Sequence, residues 1–104
     1  MDEDFDEFLH VPARLAIVAL LAPASWTDFR FVREALGTSE SALSKQLSAL
    51  AAQGFVEIDK RKLAGARRTS VRLTARGREA FRRHAGALER IAAAARTHPA
   101  ATAD

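Results

Sequence analysis

Only two residues, Thr38 and Ser39, separate two amphipathic helical segments in this 104-residue chain, and no other feature restricts its fold as much. Phe29, Val32 and Leu36 fall on one face of the first segment, Asp28 to Leu36, which Thr27 can cap. Gly37 supplies the left-handed residue that ends it. Ser39, or Thr38, is placed to cap the second segment, with Glu40 favourable in its first turn and Gly54 closing it after roughly four turns. Spacing and capping together predict a helix-turn-helix.

The period of the sequence then changes. Phe55-Val-Glu-Ile-Asp and Thr69-Ser-Val-Arg-Leu-Thr alternate and are rich in strand formers. Between them Lys60 to Arg68 reads as a basic turn centred on Gly65, so the whole predicts a β-hairpin. Upstream, Pro12 suits the first turn of a helix, Ala13 to Ala22 is apolar on nearly every face, and Trp26-Thr27 fits a very short strand. Downstream, a helix runs from Ala75 to about Arg96. Phe81, Ala85, Leu88, Ile91, Ala92 and Ala95 form a seam-like stripe along it. The expected fold is α+β, mostly α: a winged helix-turn-helix with a long C-terminal dimerisation helix. It reads as one domain over residues 1–104, with an acidic segment 1–10, a core 11–74, the last helix 75–96 and a frayed tail 97–104.

The formal net charge of +3 conceals a strong asymmetry. Residues 1–10 hold five acids and no Lys or Arg, whereas residues 60–90 hold eleven Lys or Arg against two acids, a local balance of +9. Such clustering is the electrostatic footprint of a nucleic-acid binder. The absence of cysteine excludes disulfides, thiolate metal sites and cysteine nucleophiles, and it suits a reducing cytoplasm. The acidic start does not resemble a secretory leader, and the apolar run Leu15 to Pro23 is far short of the roughly 20 residues that span a bilayer. A soluble cytoplasmic protein with no membrane partner is expected.

On the second helix of the pair, Leu43, Leu47 and Leu50 make a narrow apolar stripe, and Ser41, Ser44, Lys45, Ser48 and Ala52 lie opposite. A helix entering the major groove needs such small, hydrogen-bonding side chains, with a cation able to reach a guanine edge or a phosphate. The hairpin adds Lys60, Arg61, Lys62, Arg67 and Arg68, with Arg72 on the return strand. Six cations in thirteen residues repel one another unless a polyanion is near.

These residues carry a family resemblance. Ser41-Ala-Leu-Ser-Lys-Gln-Leu-Ser-Ala-Leu-Ala-Ala-Gln-Gly-Phe-Val56 resembles the recognition-helix signature of winged-helix transcriptional regulators related to the MarR and ArsR families. Arg68-Thr-Ser-Val-Arg-Leu-Thr-Ala-Arg-Gly77 looks like their wing exit and the start of the next helix, and Leu9-His-Val-Pro-Ala-Arg-Leu-Ala-Ile17 is similar to their first helix. The resemblance covers about residues 8–90 and implies a homodimer that binds double-stranded DNA. By that likeness Ser44, Lys45 and Gln46 fall where the family contacts DNA and the wing arginines where it grips the flanking backbone or minor groove; Ser39, Ser41 and Ser48 are expected beside them at the major groove. Gln46 occupies a position where relatives often have His, which leaves two readings: a phosphate contact or a packing residue.

Phe5, Phe8, Leu9, Phe81, Leu88, Ile91 and Ala95 are the expected dimer interface. The acidic leader is expected to lie against arginines of the other subunit's last helix. His10, His84 and His98 have no metal-ligand spacing on a helix, and no phosphate loop or nucleophile motif occurs, so neither an enzyme nor a metal or cofactor is expected. A small-molecule effector is compatible with the resemblance. The rival reading is a winged-helix protein–protein module without DNA binding, which typically has an acidic or apolar recognition face in place of this one. An RNA-binding role lacks the aromatic pair that stacks bases.

Overall fold

Leu43, Leu47 and Leu50 are at most 1% exposed, and the rest of the chain is arranged around them. In the computed structural model, which describes residues 1–97, the order is α1 (Pro12–Leu21), β1 (Thr27–Asp28), α2 (Phe29–Leu36), α3 (Glu40–Ala52), β2 (Val56–Leu63), β3 (Ala66–Leu73) and α4 (Ala75–Thr97). Of the tail expected to fray, only Thr97 is described, as the last residue of α4; the other residues, His98 among them, lie outside the described part.

The helix-turn-helix forms where the spacing places it. Gly37 adopts φ 61°, and the Ser39 hydroxyl accepts the Ala42 N–H at 3.1 Å, capping α3. One cap differs from expectation. Asp28 caps α2, accepting the Arg30 N–H at 2.8 Å, and the brief strand is Thr27–Asp28, not Trp26-Thr27. Thr27 pairs with Val71 and Asp28 with Ser70, so the strand takes up Thr27 and leaves the next side chain to start the helix.

The sheet is antiparallel with strand order β1-β3-β2. The basic segment between the two strand patterns is not a turn. The ladder runs unbroken out to Leu63↔Ala66, and only Ala64 and Gly65 turn the chain, at φ 51° and 80°. Two successive positive φ values match the twist of the strands they join, so the pairing continues to the tip and the cations sit on a ribbon.

The core combines Ile17, Val18 and Leu21 of α1 with Val32, the three leucines of α3, and Phe55, Val56, Val71 and Leu73 of the sheet. Leu15, Leu20, Phe29 and Leu36 are partly buried and pack around it. Leu9, expected at a dimer interface, is 0% exposed within this same core and has no surface to offer a partner.

α4 begins tightly against the sheet. The Thr74 hydroxyl accepts the Gly77 N–H at 2.9 Å, and a methyl group at Gly77 would overlap the Phe55 carbonyl. Its middle is covered by the chain's own N-terminus. The Asp6 N–H donates to Nδ1 of the buried His84 at 2.9 Å, and Phe5 lies against the His84 ring with centroids 4.9 Å apart. Asp4 pairs with Arg83 at 2.7 Å and Asp2 with Arg90 at 2.6 Å. The leader therefore settles on arginines of the same chain, where the sequence points to the other subunit. Leu9 anchors it within reach.

Candidate nucleic-acid interface

α3 turns its apolar stripe inward and leaves Ser41, Ser44, Lys45 and Ser48 exposed on the opposite face. Ser39 sits at the head of the same helix, its oxygen occupied in capping and 3.4 Å from the Ser41 hydroxyl. Lys45 makes no ion pair among the described residues, so α3 presents one free cation among three small hydroxyls. That surface is low enough for a groove floor to approach.

Gln46 departs from this face. It is half-buried, and its Oε1 accepts a 3.0 Å hydrogen bond from Arg14 Nε. Arg14 also donates to the Phe8 carbonyl at 3.1 Å and lies over the Phe8 ring. Gln46 thus ties α3 to α1 and the leader, and the packing reading describes its placement. Arg14 is a site neighbour that the sequence reading did not single out; its one signal was a lone polar residue in an otherwise apolar helix.

The six basic residues of the wing are not equivalent. Arg61 pairs with Asp59 at 2.6 Å and Arg68 with Asp28 at 3.5 Å, while Arg72 reaches both carboxylate oxygens of Glu57 at 3.3 Å. The Arg72 guanidinium also covers the Trp26 ring at 4.5 Å. Lys60, Lys62 and Arg67 are exposed and make no ion pair among the described residues.

Other nominated residues are spread along the body. Phe8 packs on Phe55, with centroids 5.9 Å apart, and Phe81 against the same core. Leu88 is half-buried, Ala95 is exposed, and Ile91 is 44% exposed. Alongside them an open groove of about 780 Å³ runs between the end of α1 and α4, bordered by Ala22, Phe81, Ala85 and Gly86 with Arg78 and Arg82 at its rim.

His10 and His84 do meet, which puts two histidines in one cluster. His84 Nδ1 accepts the Asp6 N–H, so its proton rests on Nε2, 3.3 Å from His10 Nδ1. Burial, and then the charge of His10, lower the His84 pKa, against a smaller raising effect of Asp6. Among the described residues no three His, Cys, Asp or Glu side chains converge on a metal-sized site, and no helix is long and apolar enough to cross a membrane.

Comparison with known proteins agrees with this geometry. The sequence profile of the family described as "Winged helix DNA-binding domain" matches residues 13–92. An uncharacterised protein of Methanocaldococcus jannaschii is 32% identical over 71 residues, covering 68% of this chain and 77% of its own. Among solved structures, a transcriptional regulator homologue from Pyrococcus horikoshii superposes with a TM-score of 0.79 at 26% identity, over 85% of this chain and 87% of that one. The PcaV transcriptional regulator from Streptomyces coelicolor gives 0.68 at 25% identity, over 77% of this chain and 58% of its own. These neighbours fit the MarR-like resemblance of the sequence, and the chain belongs to the winged-helix DNA-binding family.

Proposed function

We propose that the chain is a cytoplasmic transcriptional regulator that binds duplex DNA as a homodimer, with α3 in the major groove and the wing on the flanking backbone. The observation that carries the reading is the shared exposure of the small polar face of α3 and of Lys60, Lys62 and Arg67, cations without an ion pair among the described residues. Ser44 and Lys45 read base edges, while Ser41 and Ser48 approach the backbone. No catalytic role is assigned to any residue.

The homodimer part rests on α4. Ile91 and Ala95 lie exposed beyond the segment covered by the leader, and small residues along the helix let a partner helix come close. A two-fold pair buries the same patch on both chains and spaces the recognition helices about one DNA turn apart, so the preferred site is an inverted repeat. Selection of bound duplexes from a random DNA pool tests the reading. Enrichment of a palindrome with half-site centres roughly 10–10.5 base pairs apart is the expected result. Equal retention of duplex DNA and unrelated RNA, with no enriched motif, would overturn it.

A further inference from the structure

The basic residues of the wing lie on two opposite sides of the ribbon. β2 and β3 are in continuous register from Val56↔Leu73 to Leu63↔Ala66, and side chains alternate along each strand. Val56, Ile58, Val71 and Leu73 define the side that packs on the core. Carried toward the tip, the same alternation puts Lys60, Lys62 and Arg67 on that side and Arg61, Arg68 and Arg72 on the other.

Charge follows the same division. Every arginine of the outer side has an acid beside it: Asp59 for Arg61, Asp28 for Arg68, Glu57 for Arg72. A cleft of about 210 Å³ lined by Trp26, Asp59, Arg61, Leu63, Arg68 and Ser70 places Asp59, Arg61 and Arg68 together on one surface. On the core-continuous side, Lys60, Lys62 and Arg67 have no acid partner among the described residues. A cation already matched by a neighbouring carboxylate adds little net potential, and only net uncompensated charge draws phosphates and displaces their counterions.

We propose that the wing grips DNA phosphates with one side only, through Lys60, Lys62 and Arg67, and that the outer arginines serve the wing itself. The two sides of a two-stranded ribbon point in opposite directions, so one duplex engages one of them. Arg72 is the clearest case of the outer role. Its Nη2 reaches both oxygens of Glu57 on the neighbouring strand while its face rests on Trp26, next to β1, which fixes the base from which the ribbon projects. The wing cations are thus sorted by strand parity into paired and unpaired sets, a pattern that a count of basic residues conceals.

This inference rests on the DNA-binding reading, and the experiment separates the two. Fluorescence anisotropy with a labelled duplex of random sequence measures affinity across salt concentration for three full-length proteins: the natural chain, Lys60→Gln with Lys62→Gln, and Arg61→Gln with Asp59→Asn. The last variant erases an outer pair without changing net charge. The lysine variant is expected to lose about one unit of log–log salt slope per removed cation in each bound chain, and about tenfold or more in affinity at physiological salt. The pair-erased variant keeps the natural slope and affinity. Circular dichroism checks that both exposed-ribbon variants are folded. An unchanged slope in the lysine variant, or an equal loss in both, overturns the one-sided wing while leaving DNA binding intact. A natural chain that binds no duplex even at about 50 mM salt overturns the DNA-binding reading and the one-sided wing with it.

Discussion

Arg14 on α1 donates from Nε to Oε1 of Gln46 on α3 at 3.0 Å, and with its other arm holds the Phe8 carbonyl of the N-terminal segment. The recognition helix is therefore fastened to the body by a polar link beside its leucine stripe. Leucines fix its depth, and a directional hydrogen bond at the stripe's edge resists rotation about the helix axis. Lys45 stands about 100° around α3 from this link, so small rotations would misdirect it.

Replacing Gln46 by Ala leaves the Arg14 guanidinium half-buried with one acceptor fewer. A loss of about 1 kcal/mol in unfolding free energy is expected, read from urea unfolding. Lys45→Ala separates from it cleanly. That change touches nothing in the fold, and costs about 1–3 kcal/mol in affinity on the preferred duplex if the lysine pairs with a guanine, with much less lost on random duplex. Equal losses on both DNAs would make Lys45 a backbone contact.

Gly77→Ala is expected to be among the most damaging single changes. The added methyl meets the Phe55 carbonyl, which is main chain and already accepts the Thr74 N–H at 3.0 Å, so it cannot swing aside. Overpacking of this kind costs about 1–3 kcal/mol or more. Gly86→Ala makes the contrast, because there the neighbour is the far end of the Arg90 side chain. Thermal melts of the two variants should differ clearly, and equal melting temperatures would show that the α4–β2 junction can yield.

Stability should fall with acid through His84. The folded protein holds this ring neutral, because Nδ1 faces an N–H donor from Asp6 and burial disfavours the charge. The unfolded chain protonates near the ordinary value of 6.5, whereas the folded chain does so only at lower pH. In the window between, the unfolded state binds more protons, so the contribution is complete above the unfolded pKa and disappears as pH drops through the folded one. The groups around the ring are His10, the Asp6 carboxylate, and the Asp4–Arg83 pair beside it. His84→Asn keeps an acceptor for the Asp6 N–H but removes the titration, and should flatten the melting temperature between about pH 5 and 7. A parallel pH curve in that variant would assign the acid sensitivity elsewhere. Asp2, lowered to about 2 by its hydrogen bond to Arg90, acts only in stronger acid, in the window from 3.8 downward.

Much of the architecture was readable because single residues dictate it. Gly37, Ser39 and Gly54 punctuate the chain, and the alternation of Val56, Ile58, Val71 and Leu73 fixes the sheet faces. What escaped was information held between segments. Ala13 to Ala22 is apolar all round, so its pattern could not say that Ile17, Val18 and Leu21 face inward. Leu9 looked like surplus apolar surface because nothing local shows that the leader folds back. The acids of the leader complement arginines 80 positions or so away in sequence, and only the fold decides whose arginines those are. Lys60 to Arg68 reads as the turn of the hairpin because the strand-forming residues stop at Asp59 and resume at Thr69, with Gly65 between. The hairpin's alternation puts Glu57 opposite Arg72, and Asp59 two residues before Arg61 on the same side, and so already contained two of the outer pairs.

The covered leader narrows what a partner chain can touch, and two substitutions separate intramolecular packing from assembly. Leu9→Ala opens a hole in a core where the leucine is 0% exposed, so it should destabilise the chain by about 2–5 kcal/mol whatever its oligomeric state. Ile91→Asp touches a residue that is 44% exposed and outside that core, so the fold of an isolated chain should be indifferent to it. If α4 pairs with a second copy, however, the substitution buries a carboxylate on both sides of a two-fold interface. Sedimentation should then show the natural chain as a dimer at micromolar concentration and Ile91→Asp as a folded monomer. Affinity for a palindromic duplex should fall steeply, while affinity for a single half-site changes little. A natural chain that sediments as a monomer and still binds the palindrome tightly would remove α4 from the assembly.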